Sequence, residues 1–369
     1  GAADADAVDA LAERLLAAKY PVLITSYSGR NARAPGVIEE LARLAGIRVF
    51  EFNPVHLNIS RASPCFGGMM PGKHVAEADV GLLVDVDVPW IPADTRENPK
   101  TWWAQVDVDV VKERFPIWGF PSNLRLAGDS VLILTQLIAA LKAKATPAFR
   151  DAAAKRLEAM AREHGERRAE AAKLAADRGA RGAVNTHYLC AELAKALGED
   201  DILVNESIRN AGVVYRQITR TRPGTSLGFG GGGLGCSGGI ALGAKLARPG
   251  ATVVQLVGDG SFYFGNPSSV YAVSQQYQIP IFTVVLDNSG WSAVKESTLR
   301  MYPDGAAKSL DEFGARLAPD VEFAKICEAA GGYGEKLTDP DVVPAAIQRC
   351  LAAVRAGRPA VLHARIPPL

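Results

Sequence analysis

The stretch QLVGDGSF, residues 255–262, sets one carboxylate, Asp259, between Gly258 and Gly260, directly after the apolar run ATVVQLV. Such a run predicts a buried strand, so the acid arrives at a strand's carboxyl end, where open α/β sheets place their ligands. Taken alone, the tripeptide fits a plain strand-to-helix turn equally well, because Asp and Gly are common turn residues. Twenty-nine residues later, FTVVLDNSGW brings Asn288 to the end of the next apolar run. If the two strands are parallel neighbours, the Asp259 carboxylate and the Asn288 amide oxygen converge. Two oxygen donors suit a hard cation such as magnesium, which keeps its other positions for water and phosphates. The flanking glycines permit close backbone approach, while Ser261 and the N-terminus of the next helix offer donors to an anion. These residue types predict a magnesium–diphosphate cradle.

The elements needed to position such a cradle are present. From residue 7 onward helical and strand patterns alternate: AVDALAERLLAAK, then PVLITS, APGVIEELARLAG, IRVFEF, and the strand runs ADVGLLVDVD and TWWAQVDVD. That alternation predicts a parallel sheet covered by helices. Residues 150–178 are rich in Ala, Glu, Lys and Arg without proline, which predicts a long exposed helix between two domains. The pattern then restarts with THYLCAELAKALGED, DILVNES, a glycine-dense loop, GGIALGAKLARPG, ATVVQLV, NPSSVYAVSQQYQ and IPIFTVVLDN, and closes on PAVLHARI. The expectation is an α/β protein of two parallel-sheet domains, 1–145 and 181–369, joined by a helical linker at 146–180.

Composition narrows the partners. With 41 Lys and Arg against 40 Asp and Glu, the net charge of +1 gives no electrostatic reason for nucleic acid or an anionic membrane as a partner, so any phosphate site must be local. No apolar run is long enough to span a membrane, and GAADADAVDA lacks the regions of a signal peptide. The five cysteines are scattered, with no C-x-x-C pair, which argues against zinc and for a reducing cytoplasm.

The stretch GDGSFYFGNPSSVYAVSQQYQIPIFTVVLDNSGW resembles the thiamin diphosphate motif, which begins with GDG and ends just under thirty residues later in paired asparagines. The first of these is Asp287 here; the second, usually the metal ligand, is Asn288. Upstream, ILVNESIRNAGVVYRQITRTRPGTSLGFGGGGLGCSGGIALGAKLARP is similar to benzoylformate decarboxylase and acetolactate synthase relatives. The first domain resembles that family's central domain. The resemblance implies a cofactor site of Gly232, Gly233, Leu234, Gly258, Asp259, Gly260, Ser261, Asn288, Gly290 and Trp291, with Mg²⁺ held by Asp259, Asn288 and the Gly290 carbonyl. It further implies that Leu234 wedges thiamin diphosphate into a bent form and that the Gly232 carbonyl accepts from its aminopyrimidine. Bending brings the amino group against C2, where the chemistry begins.

The implied reaction breaks or makes carbon–carbon bonds beside a carbonyl in a small-molecule substrate, as a 2-oxo acid decarboxylase or carboligase does. Family members also carry a pyrimidine-binding domain whose glutamate protonates the cofactor. No counterpart is found in this chain, so the expected partner is such a domain on another chain or on an N-terminal portion removed before residue 1, in a homo- or hetero-oligomer. Alternatives stay open. A 2-hydroxyacyl-CoA lyase would need a nucleotide site in the first domain, near SGRNAR. A cofactor-binding subunit without catalysis is a second rival. A nicotinamide oxidoreductase has little support, because no G-x-G-x-x-G follows PVLITS. Leu234 fits a core role as well as a wedge, Glu206 matches the resembled family's NES segment but fits a helix cap or an ion pair equally, Arg209 an anion contact or a solvated face, and Trp291 packing or a pocket wall. None of the five histidines has ligand spacing.

Overall fold

The computed structural model describes residues 1–115, 118–229, 233–318 and 320–368. They form two compact units, Gly1–Arg167 with Arg220–Gly224, and Arg168–Thr219 with Thr225–Leu369.

The first unit is built on six parallel strands, β1 (Pro21–Thr25), β2 (Arg48–Glu51), β3 (Phe66–Gly68), β4 (Val80–Val84), β5 (Trp102–Asp107) and β6 (Leu124–Ala127), in the order β3-β2-β1-β4-β5-β6. Every residue of β1, β2 and β4 is buried, as expected of a sheet covered on both faces. The helices Ala5–Ala17, Ala34–Ala45 and Ser130–Lys144 supply one layer, with Leu11, Leu15, Ile38, Leu41, Leu134 and Leu137 in the core. Local signals set their ends: Asp4 accepts from the amides of Asp6 and Ala7, and Gly46 stops the second helix in a left-handed conformation. On the other face Trp103 packs on Trp90 and lies so close to Gly81 that a Cβ there would stand 2.1 Å from its ring.

The helix Pro147–Ala176 runs through the stretch that divides the units. In its first half Phe149, Ala153 and Met160 are buried, and Arg156 donates to the carbonyls of Ala18, Ala45 and Gly46.

The second unit opens with a short hairpin, β7 (Gly179–Ala180) and β8 (Ala183–Val184). Its parallel sheet has β9 (Ile202–Glu206), β10 (Ser226–Leu227), β11 (Val253–Gly258), β12 (Phe282–Asp287), β13 (Tyr333–Leu337) and β14 (Ala360–Arg365), in the order β10-β9-β11-β12-β14-β13. The helices Thr186–Ala196 and Val343–Arg355 cover one face through Leu189, Leu193, Ile347 and Leu351. On the other face Phe262, Tyr271 and Phe323 pack together. Chain direction across the sheet reverses between β9 and β11, the position at which sheets of this kind bind ligands. Among the described residues, no helix is long and apolar enough to cross a membrane.

Candidate functional site

β11 and β12 are hydrogen-bonded neighbours in parallel register, with Gly258 opposite Leu286. Asp259 and Asn288 therefore leave adjacent strands at the same end of the sheet. Asp259 is 2 % exposed and begins the short helix Asp259–Phe264. Its two oxygens accept from the backbone of both segments: Oδ1 from Gly260 N–H at 2.8 Å and Oδ2 from Gly290 N–H at 2.8 Å. The acid thus fastens the GDG turn to the DNSGW turn. Burial, reinforced by the nearby Asp287 carboxylate, pushes the Asp259 carboxyl up to about 7. A cation at this position would favour the ionised form.

Asn288 is also buried, and its Oδ1 has no hydrogen-bond partner among the described residues. A buried amide oxygen without a donor is costly, so this atom calls for a ligand. The Gly290 carbonyl accepts from Ser292 N–H at 2.9 Å and keeps a second lone pair. A carboxylate, an amide oxygen and a backbone carbonyl form an all-oxygen set suited to Mg²⁺. Among the described residues no group of three His, Cys, Asp or Glu side chains could hold a metal, so a site here depends on Asn288 and the backbone.

Asp287, which stands where the motif has its first asparagine, is fully engaged. Oδ2 lies 2.7 Å from His363 Nε2 and 2.8 Å from Arg365 Nη1, and Oδ1 accepts from Ser289 N–H at 2.9 Å. Burial pushes this carboxyl up, but the hydrogen bonds from His363, Arg365 and Ser289 outweigh it and hold it below the usual carboxylate range. The bond to Ser289 turns the chain at a left-handed residue, φ 68°, directly after Asn288. Leu317 N–H and Trp291 N–H, bonded to the carbonyls of Ser289 and Ala315, clamp the turn from the other side.

The glycines around Asp259 divide their roles. A Cβ on Gly258 would meet none of the described residues within 4 Å, which leaves space there for a ligand. A Cβ on Gly260 would stand 2.1 Å from Trp291 Cδ1, so that glycine makes room for the tryptophan ring. Trp291 Nε1 is buried and has no partner among the described residues. Ser261 is buried on the same turn.

Glu206 ends β9 beside β11, paired with Val257, and is fully buried. Its carboxylate accepts from Gly235 N–H and, at 2.8 Å, from Ser237 N–H, so it occupies the first amide of the helix Ser237–Ala247 and one amide of the loop before it. Of the roles open to Glu206, the structure shows that of a cap on Ser237 N–H. The cap also tethers the glycine-rich loop. Within that loop Gly233 is exposed and Leu234 half-buried, and Leu234 joins none of the buried clusters of described residues. Gly232 lies outside the described residues. Arg209 pairs with Glu296 at 3.6 Å.

Sequence reasoning did not assign His363 and Arg365 to the site. The available signal was PAVLHARI, a strand carrying a histidine and an arginine two positions apart, hence on one face. Their target became visible only once β14 was placed beside β12, with Asp287 opposite Arg365.

Comparison with known proteins matches residues 210–364 to the family described as thiamine pyrophosphate enzyme, C-terminal TPP binding domain. An acetolactate synthase large subunit of Mycobacterium tuberculosis is 31% identical over 179 residues, which is 48% of this chain and 30% of that protein. A sulfoacetaldehyde acetyltransferase of Rhodobacter capsulatus is 25% identical over 99% of this chain and 64% of its own length. The thiamine diphosphate-dependent 4-hydroxybenzoylformate decarboxylase of Rhodococcus jostii RHA1 superposes on the whole chain with a TM-score of 0.77 at 20% identity. The chain covers 66% of that structure. The chain therefore spans less than two thirds of the length of the curated relatives it matches.

Proposed function

We propose, for a chain that belongs to the thiamin diphosphate-dependent enzymes related to acetolactate synthase and benzoylformate decarboxylase, that it holds thiamin diphosphate and Mg²⁺ at the ends of β11 and β12 and cleaves or forms carbon–carbon bonds beside a carbonyl. The observation that carries the reading is the pairing of a buried carboxylate, Asp259, with the Oδ1 of Asn288, unpartnered among the described residues, on adjacent parallel strands.

In this reading Asp259, Asn288 and the Gly290 carbonyl hold Mg²⁺, which takes its remaining ligands from water and the diphosphate. Ser261 and the open face of Gly258 receive the diphosphate. Bound there, the cofactor supplies the electron sink for cleavage beside a carbonyl. Glu206 fixes the loop through Gly235 and Ser237, so that Leu234 sets the bend of the cofactor and Gly232 accepts from its aminopyrimidine. Trp291 walls the site and offers its free N–H to a ligand acceptor. The substrate is a 2-oxo acid or a related small carbonyl compound, and the reaction is decarboxylation, carboligation or acyl transfer.

A pyrimidine-binding domain, on another chain or on a longer form of this one, completes the site with a carboxylate for the cofactor's ring nitrogen, which makes the working form an oligomer or a larger assembly. General acid–base catalysis of that kind contributes roughly 10²- to 10⁴-fold in rate. The free cysteines, four of the five buried, suit a reducing cytoplasm.

Calorimetric titration of the 369-residue chain with thiamin diphosphate, with and without Mg²⁺, tests the reading. Saturable binding that requires Mg²⁺ and disappears in Asp259→Ala is the expected result. Metal-independent binding, or an unaffected variant, overturns it.

A further inference from the structure

The first sheet has a reversal of its own. In the order β3-β2-β1-β4-β5-β6 it falls between β1 and β4, and the crevice outside their carboxyl ends is where sheets of this order take a nucleotide. The segment SGRNAR, residues 28–33, follows β1 and is where the phosphates of a nucleotide would be cradled.

Four of the six amides in that segment, those of Gly29, Arg30, Asn31 and Arg33, already have partners inside the chain. Ser26 and Tyr27 N–H both donate to the Asp85 carbonyl, at 3.2 and 3.1 Å, and so stitch the segment after β1 to the one after β4. Gly29 N–H donates to Asn58 Oδ1 at 2.9 Å. Arg30 and Asn31 donate to the carbonyls of Tyr27 and Ser28, Arg33 to Asn31 Oδ1, and Ala34 to the Asn31 carbonyl. Gly29 gives no approach to a phosphate, because a Cβ there would stand 2.0 Å from the Leu57 carbonyl oxygen.

Side chains close the crevice a second time. Lys112, 2 % exposed, places Nζ 2.8 Å from Asp107 Oδ2, 2.8 Å from Asp87 Oδ1 and 3.0 Å from the Tyr27 hydroxyl. That hydroxyl is itself 2.7 Å from Asp107 Oδ2 and 2.9 Å from Asp87 Oδ1. Beside them the buried Asp85 accepts from Ser130 Oγ at 2.5 Å and pairs with Arg30 at 3.2 Å. Three carboxylates face two cations, and both cations are already paired. An incoming diphosphate would meet net negative charge, and displacing Lys112 would leave Asp107 buried without its counter-ion.

We infer that Lys112 and Tyr27 are the permanent occupants of this crevice, so the first unit takes no nucleotide and Lys112 determines specificity by exclusion. On the functional reading proposed above, the carbonyl substrate then comes without a CoA handle, and no adenine cofactor sits on the first sheet. That separates a decarboxylase or carboligase from the CoA-dependent lyase that SGRNAR left open.

The test uses the full chain. ADP, CoA and FAD are titrated separately by calorimetry, with thiamin diphosphate and Mg²⁺ as an internal control. In parallel, native reductive methylation of lysines is followed residue by residue by mass spectrometry. The expected results are no saturable heat with any of the three nucleotides and methylation of Lys112 at least about tenfold slower than that of Lys142, whose side chain is 58% exposed. Saturable binding of any one nucleotide in the micromolar range overturns the inference, as does methylation of Lys112 at the Lys142 rate. Loss of the control signal alone counts against the proposed function and leaves the closed crevice standing.

Discussion

Trp291 lies over Gly260 so closely that a Cβ on the glycine would stand 2.1 Å from Cδ1 of the ring. The contact joins the residue after Asp259 to the third residue after Asn288, so the two halves of the site are packed against each other as well as hydrogen-bonded. Gly260→Ala forces the ring to move. Although alanine is the better helix former, overpacking here should cost about 1–3 kcal/mol. The single variant is expected to lose thermal stability and Mg²⁺-dependent cofactor binding together, and Gly260→Ala with Trp291→Ala should regain part of the stability. A single variant as stable as the parent would mean that the ring is free to shift.

Asp259 predicts a pH dependence. Its folded value of about 7 lies above the ordinary 3.8, so the cofactor-free fold prefers the protonated form. The stability this group contributes is complete below about pH 4 and is lost as pH rises through about 7. Metal binding must release the proton, so apparent Mg²⁺ affinity should fall about tenfold for each pH unit below 7 and level off above it. Thermal stabilisation by Mg²⁺ with thiamin diphosphate should be greatest on the alkaline side. Titrations at several pH values in buffers of different ionisation heat count the proton directly; a flat profile from pH 5 to 8 contradicts the assignment.

The sequence disclosed some of this plainly and hid the rest for identifiable reasons. ATVVQLV and FTVVLDN are uninterrupted apolar runs ending in Asp259 and Asn288, so both the central strands and the pair of oxygens could be read from spacing. The edge strands could not. β13 reads YGEKL, half-exposed and lacking an apolar run, while β3 and β10 are three and two residues long. The partners of Glu206 and the role of His363 eluded assignment for a different reason. Their partners lie 31 and 76 residues away, and only the strand order β9-β11-β12-β14 brings them together.

Asp287 carries a second linkage of opposite sign. Its carboxyl is held below the usual range, so the stability it contributes is present above about pH 4 and is lost as pH falls through its folded value. Asp287→Ala leaves the buried His363 and the partly exposed Arg365 without their acceptor and should cost about 3 kcal/mol, the low end for a broken buried pair. Asp287→Asn keeps an oxygen for Ser289 N–H and the turn that presents Asn288, so it should bind Mg²⁺ and thiamin diphosphate nearly as the parent does. Denaturant melts and titrations of the two variants decide; equal losses in both would mean that the charge matters more than the turn.

Leu234 sits half-buried on the loop beside Gly235, outside the buried clusters. A core leucine truncated to alanine costs about 2–5 kcal/mol, whereas a residue whose partner is the cofactor should cost little in its absence. Leu234→Ala is therefore expected to leave the melting temperature nearly unchanged and to slow C2 proton exchange of bound thiamin diphosphate in the completed assembly, with cofactor affinity only slightly reduced. A large drop in stability of the cofactor-free chain would return Leu234 to the core.

Glu206 tests whether the loop must be tethered for the site to work. Its two oxygens hold Gly235 N–H and Ser237 N–H, while Gly235, at φ 90°, runs so close to the end of the helix Asp259–Phe264 that a Cβ would stand 2.4 Å from the Phe264 carbonyl carbon. The loop is thus fixed at one point by a carboxylate and at the next by backbone contact. Glu206→Ala removes the acceptor for two amides in a buried setting, at about 1–3 kcal/mol for each amide left unsatisfied, and frees the segment that carries Leu234. Glu206→Gln keeps one good acceptor oxygen, though its NH₂ then faces the other amide. The expected order of thiamin diphosphate affinity is parent, then Gln, then Ala, with amide exchange at Gly235 and Ser237 accelerating in the same order. Hydrogen exchange on the cofactor-free chain reads the tether separately from binding. If exchange accelerates in Glu206→Ala while cofactor affinity holds, the tether stabilises the fold without shaping the site.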